Sequence, residues 1–138
     1  MTITLPLDPT SPVLFSLLVL LSLAQGIALL IGGRAERAAA AIATIATILW
    51  LLFFDMTWQK LEVYAFILDI LVLIGFWMIA LTSDRFWPYW ITGLQLICVL
   101  AHVETMLFAH VHAVPYAIFT TMLAFPIGGI ICAGAINQ

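Results

Sequence analysis

The sequence predicts an all-α fold, a polytopic bundle of transmembrane helices that forms a single domain over residues 1–138. Two totals and one pattern carry that prediction. The 138 residues are 65% hydrophobic and only 8% charged, and the mean hydropathy is +1.22. A soluble domain carries about 25% charged residues, so this chain has too few to cover a water-facing surface, and lipid must cover most of it. The pattern is a series of apolar runs, each near the roughly 20 residues that cross a bilayer. Short breaks rich in glycine, proline, charge and tryptophan separate the runs. The length admits five spans, with four as the alternative count, and leaves no room for a soluble domain. Net charge is −3, from four basic and seven acidic residues. No basic patch exists, which excludes nucleic acid as a partner. No polybasic tail is present to recognise anionic lipid.

Taken in order, residues 1–11 form a short polar lead with Pro6, Asp8, Pro9 and Ser11. Ser11-Pro12 suits an N-cap followed by proline at the first helical position. The first span is predicted over 12–32, ended by Gly32-Gly33, because glycine tolerates the left-handed C-terminal conformation. Ser22-Leu23-Ala24 before Gln25 has the look of a signal-peptide cleavage site, yet Met1 to Pro12 contains no Lys or Arg, so the segment reads as a retained helix. Arg34, Glu36 and Arg37 read as a tight charged turn. The second span covers 38–54, alanine-rich at first and ending in Trp50, Phe53 and Phe54. Asp55 to Lys60 reads as a loop, with Trp58 as an interface anchor. The third span covers 61–81.

Thr82-Ser83-Asp84-Arg85-Phe86-Trp87-Pro88-Tyr89-Trp90 then turns the chain. Ser83 or Asp84 is placed to cap, and Pro88 fits the first turn of the fourth span, 88–109. Trp87, Tyr89 and Trp90 match an aromatic belt at the headgroup boundary. After a loop at His110, the fifth span covers 114–135. Pro126 and Gly128-Gly129 interrupt it, and Pro126 lacks the N–H that would bond the Met122 carbonyl, which predicts a kink.

With five spans, Arg34, Arg37 and Arg85 fall on one side and Lys60 on the other. The positive-inside rule puts the arginines in the cytoplasm, the N-terminus outside and the C-terminus inside. Inside lipid, helices associate by close backbone approach and interhelical hydrogen bonds. Three ridges of small residues offer that approach: Ala24, Ala28 and Gly32; Ala39, Ala43 and Thr47; Gly129 and Ala133. They fit packing within the bundle first; the sharper reading is a second copy or a dock for another membrane subunit.

The ionisable groups inside the spans are the candidate site. Asp69 lies about 12 Å below the outer boundary, and His102 at about the same depth, at 1.5 Å per residue. A tight connector makes the third and fourth helices antiparallel neighbours, so Asp69 and His102 can meet. The same register sets Phe76 near Gln95 and Glu62 near Ala109 or His110. Gln95 is seven residues from His102 and shares its face. Glu104 points about 200° away from His102 and is nearer the surface. Gln25 in the first span reads as another interhelical hydrogen-bonder. The Asp69–His102 pair fits a structural link that fixes helix register, a proton or ion relay, or a cofactor contact in which His102 holds a haem iron or pigment metal.

Haem fits poorly on count, because every histidine lies between 102 and 112, whereas two axial ligands must come from opposing surfaces. His110, His112 and Glu104 together have the ligand chemistry for zinc or copper, though their spacing matches no strong motif. Cys98 and Cys132 lie in apolar runs and read as small packing residues. No Ser-His-Asp order, phosphate loop, Cys-x-x-Cys or His-Glu-x-x-His occurs.

Asp69, then Ser83-Asp84-Arg85-Phe86-Trp87-Pro88, Gln95, His102, Tyr116-Ala117 and Phe125-Pro126 together resemble small uncharacterised bacterial inner-membrane proteins. The resemblance covers about the last two-thirds of the chain. It implies an inner-membrane location and a similar number of spans, and it carries no activity, cofactor or functional residue. The sequence thus leads to a non-enzymatic inner-membrane protein, an accessory or assembly subunit of a membrane complex or a homo-oligomer. The alternatives are a small transporter or proton conductor using Asp69 and His102, and a membrane protein that binds haem, quinone or pigment.

Overall fold

The computed structural model describes residues 12–53, 58–108 and 113–137, with side chains described except at 14, 58–62 and 113–117. The described residues form five α-helices and no strand: α1 (Pro12–Ile31), α2 (Arg34–Phe53), α3 (Trp58–Thr82), α4 (Trp87–Leu107) and α5 (Ala113–Ile136). Four of them, α2 to α5, are long and apolar enough to cross a membrane; in α1 the apolar stretch Phe15–Ile31 is shorter. The chain is a multi-pass helical membrane protein.

The helices form a closed ring in chain order, with α1 also against α5, and α2 touches α5 across the ring. That cross-contact divides the bundle into a small triangle of α1, α2 and α5 and a wider four-sided body of α2, α3, α4 and α5. The surface is hydrocarbon, with Leu20, Leu30, Leu52, Leu71, Leu81 and Leu107 all exposed. In water such a surface would drive aggregation; lipid matches it at no cost.

Small residues decide where the helices come closest. Ala28, Ala39, Ala40 and Ala135 are buried together with Phe76, Ile91, Ile127 and Ile131 in one core. A Cβ on Gly32 would lie 2.7 Å from Glu36 Cβ, so glycine there lets the start of α2 fold back against the end of α1. A Cβ on Gly134 would lie 3.1 Å from the Trp87 indole nitrogen, so α5 passes close under the start of α4. Arg37 donates from Nη2 to the Leu30 carbonyl at 3.3 Å, satisfying one of the open carbonyls in the last turn of α1.

Several boundaries differ from the sequence reading. Arg34, Glu36 and Arg37 are the first turns of α2 rather than a turn before it. The Arg37 N–H already bonds the Gly33 carbonyl at 3.0 Å, a helical backbone bond that hydropathy does not register. No described glycine has positive φ, so Gly32 serves close approach and not a left-handed cap. The helix α3 starts at Trp58, inside the expected loop, which places Asp69 eleven residues in, about 16 Å at 1.5 Å per residue. The N-cap of α4 is Phe86, without a side-chain cap bond; Ser83 Oγ instead accepts the Arg85 N–H at 3.2 Å. The helix α5 is helical throughout from Ala113 to Ile136, through Pro126. The anchor reading of Trp58, the Glu62 neighbours, the Ser11 cap, His110 and His112 lie outside the described residues and side chains.

Candidate functional site

Asp69, Val72, Phe76 and Ile79 recur at three- and four-residue steps, so Asp69 lies on the face of α3 that carries the core. Gln95, Cys98 and His102 repeat the same spacing on α4 and are all buried. The two faces meet. His102 Nε2 lies 2.8 Å from Asp69 Oδ2, and Gln95 Nε2 donates to Asp69 Oδ1 at 2.9 Å. The Gln95 amide is also 3.3 Å from the Asp69 carbonyl. A carboxylate only accepts, so against ionised Asp69 the His102 Nε2 carries the hydrogen. Each carboxyl oxygen therefore holds one donor. Phe66 packs beside the imidazole, with ring centroids 5.9 Å apart.

The sequence register sets Gln95 near Phe76; in the structure the Gln95 amide also reaches Asp69. Gln95 and His102 are about 10 Å apart along α4 at 1.5 Å per residue. Both nevertheless hydrogen-bond the one Asp69 carboxylate. Counting residues from helix ends compares Cα levels and ignores this reach along the axis.

Two further polar clusters join helices. Gln25 is buried on α1 and its Oε1 accepts the Thr44 hydroxyl of α2 at 3.0 Å. At the end of the bundle formed by the α1–α2 turn, the α3–α4 connector and the end of α5, Glu36 is buried with 2% exposure. Trp87 Nε1 donates to its Oε1 at 3.1 Å, and Arg85 Nε lies 3.9 Å from the same oxygen. Arg85 Nη1 also donates to the Asn137 carbonyl at 3.2 Å. The Glu36 carboxylate thus ties α2 to α4 and the connector, and Arg85 carries the link on to Asn137, just past the end of α5. Sequence reasoning places Glu36 in a tight charged turn and Trp87 in the aromatic belt. Trp87 is turned inward instead, while Phe86, Tyr89 and Trp90 are exposed, with Phe86 edge-on to Trp90 at 6.1 Å. The signal that could have found this cluster is the pairing of Gly32 with Glu36 four residues on, beside an indole N–H that needs an acceptor wherever it is buried.

Glu104 is exposed on α4 and does not join His102 or Asp69. Among the described residues no three His, Cys, Asp or Glu side chains gather as a metal site. Cys98 and Cys132 are free thiols, Cys98 buried and Cys132 half-buried. Among the described residues no buried side-chain nitrogen or oxygen lacks a hydrogen-bond partner.

The chain matches no protein-family model, no curated protein and no solved structure.

Proposed function

We propose that this chain is a bacterial inner-membrane protein that acts without catalysis, as an accessory or assembly subunit of a larger membrane complex or as a homo-oligomer. One observation carries the reading: its polar side chains within the helices bind one another across helix pairs. Gln25 and Thr44 join α1 to α2, Asp69 with Gln95 and His102 joins α3 to α4, and Glu36 with Trp87 joins α2 to α4. Such links give a membrane body a fixed shape. The inner-membrane placement rests on the resemblance of the Asp69 to Pro126 pattern to small inner-membrane proteins. The orientation rests on Arg34, Arg37 and Arg85, which favour the cytoplasmic side.

The ridge that would meet a neighbour is on α5. Ile127, Ile131 and Ala135 fill the core, whereas Gly129 and Ala133 are exposed on the other side. Lipid gains nothing from small side chains, but a second helix gains close backbone approach. The test is purification from native membranes, with the apparent size and co-purifying chains compared between the wild type and Gly129→Leu with Ala133→Leu. A second chain should be present with the wild type and be lost, or reduced at least about tenfold, in the variant, which corresponds to about 1.4 kcal/mol. A lone monomer in both would overturn the reading.

A further inference from the structure

A groove stays open between α2 and α3 on the side that faces lipid. Its cavity of about 160 Å³ is lined by Leu49, Trp50 and Phe53 of α2 and by Ala65, Leu68 and Leu71 of α3, among others. These residues recur at three- and four-residue steps, so each helix contributes one stripe. Ala65 is the smallest of them, and its short side chain leaves room that a leucine would fill. Leu71 is 60% exposed and Ile67 is exposed beside it, so the groove opens sideways to the bilayer. Contacts between the two helices bound it at each end. At one end the rings of Phe53 and Tyr64 stack, with centroids 5.2 Å apart. At the other, one turn past Leu71, Gly75 lets α3 close on α2; an added Cβ there would stand 2.8 Å from Ile42 Cδ1. From Tyr64 to Leu71 the groove runs about 10 Å at 1.5 Å per residue.

Size and lining decide what fills such a space. Water in a cavity needs about 2–4 polar partners, and the side chains here are hydrocarbon and aromatic, with no charge among them. A helix is about 10–12 Å across with its side chains, too wide for a space of about 160 Å³. Left empty, the lining would forgo its dispersion contacts on one side. The bilayer around it is made of slender hydrocarbon chains, and one such chain can lie along the groove between the Phe53–Tyr64 stack and Gly75. The site is built from α2 and α3 alone, so it is independent of the ridge on α5.

We propose that the groove between α2 and α3 is a lipid-binding site that holds one acyl chain of a phospholipid. The chain enters sideways past Ile67 and Leu71 and packs on Leu68, over the space that Ala65 leaves. Because the groove is bounded at both ends and concave, it touches the chain on several sides, whereas a convex helix face touches a lipid on one. The lipid in the groove therefore outlasts the lipid on the rest of the surface when the bilayer is replaced by detergent.

The test places the full chain in vesicles of phosphatidylethanolamine and phosphatidylglycerol, the latter carrying a diazirine midway along one acyl chain. The protein is extracted into maltoside detergent, washed free of bulk lipid and then irradiated, and adducts are mapped by mass spectrometry. Leu68 and Leu100 are compared because they have the same side-chain chemistry. Leu68 is half-buried in the groove. Leu100 is 56% exposed on α4, two residues from the His102 that bonds Asp69, the neighbour of Leu68. Labelling by stray lipid follows exposure and favours Leu100. A retained chain should instead label Leu68 at least about tenfold more than Leu100, and Ala65→Phe, which fills the groove, should reduce the Leu68 adduct at least about tenfold. The wild-type labelling decides the matter without any variant: no retained lipid, or more adduct on Leu100 than on Leu68, overturns the proposal. A groove taken by a side chain of another protein would leave Leu68 unlabelled and overturn it equally. Protein purified from native membranes should carry phospholipid, and an isoprenoid quinone in equal amount to the protein would overturn the acyl-chain assignment.

Discussion

Glu36 is the residue whose surroundings depart furthest from its sequence context. Flanked by two arginines in Arg34-Ala35-Glu36-Arg37, it reads as part of a solvated loop, yet it is buried against Trp87 and Arg85. Leaving the Trp87 N–H without an acceptor costs about 1–3 kcal/mol, so Glu36→Ala should lower stability in mixed-micelle unfolding by about that amount. Glu36→Gln keeps an amide oxygen for the indole and should cost less than half as much. Equal losses for the two variants would mean that the charge facing Arg85, and not the hydrogen bond, sets the contribution. The polar residues inside the spans were easier to single out from sequence than Glu36. An aspartate in a run such as Ile67-Leu68-Asp69-Ile70-Leu71 has no hydrocarbon alternative to a partner, and the histidine and glutamine seven residues apart on one face of the next helix are the nearest supply. What residue counting missed was that both reach the same carboxylate, because side-chain reach along a helix is not encoded in spacing.

At the scale of elements, hydropathy made the five helices legible but not their starts. Apolar content rises only after the charged first turn of α2 and after Trp58-Gln59-Lys60 of α3, whereas the backbone is helical from Arg34 and from Trp58. A helix beginning in the headgroup region needs hydrogen bonds, not hydrocarbon, so its polar first turn is invisible to a hydropathy reading. Glycine spacing was legible as close approach, but which helix approaches which glycine was not. The structure now separates two glycines that look alike in sequence. A Cβ at Gly75 meets the flexible tip of Ile42 at 2.8 Å, which can rotate away. A Cβ at Gly32 meets the Ala28 carbonyl and Glu36 Cβ, both fixed by backbone. Gly75→Ala should therefore change stability by less than about 1 kcal/mol, while Gly32→Ala should cost about 1–3 kcal/mol by forcing the α1–α2 turn apart. Unfolding midpoints of the two variants, measured in one detergent, check the order; a larger loss at Gly75 would contradict this account of the turn.

For the whole molecule, the end that carries the arginines is also the end where small residues pack closest, with Ala28, Ala39, Ala40 and Ala135 all buried. Arg85 has two roles there that can be pulled apart. As a charge it adds to Arg34 and Arg37 in the bias that the proposed orientation rests on; as a guanidinium it reaches Glu36 and the Asn137 carbonyl together. Lysine keeps the first role but lacks the planar fork of donors needed for the second. In fusions of alkaline phosphatase or a fluorescent protein to the C-terminus, the wild type and Arg85→Lys should both report a cytoplasmic end, while Arg85→Lys frees the last turn of α5 and raises protease cleavage near Asn137. Removing charge from all three sites, as Arg34→Gln, Arg37→Gln and Arg85→Gln together, leaves Lys60 as the main basic residue and should produce a mixed or inverted population. Retention of a single cytoplasmic C-terminus in the triple variant would show that something other than these arginines orients the bundle.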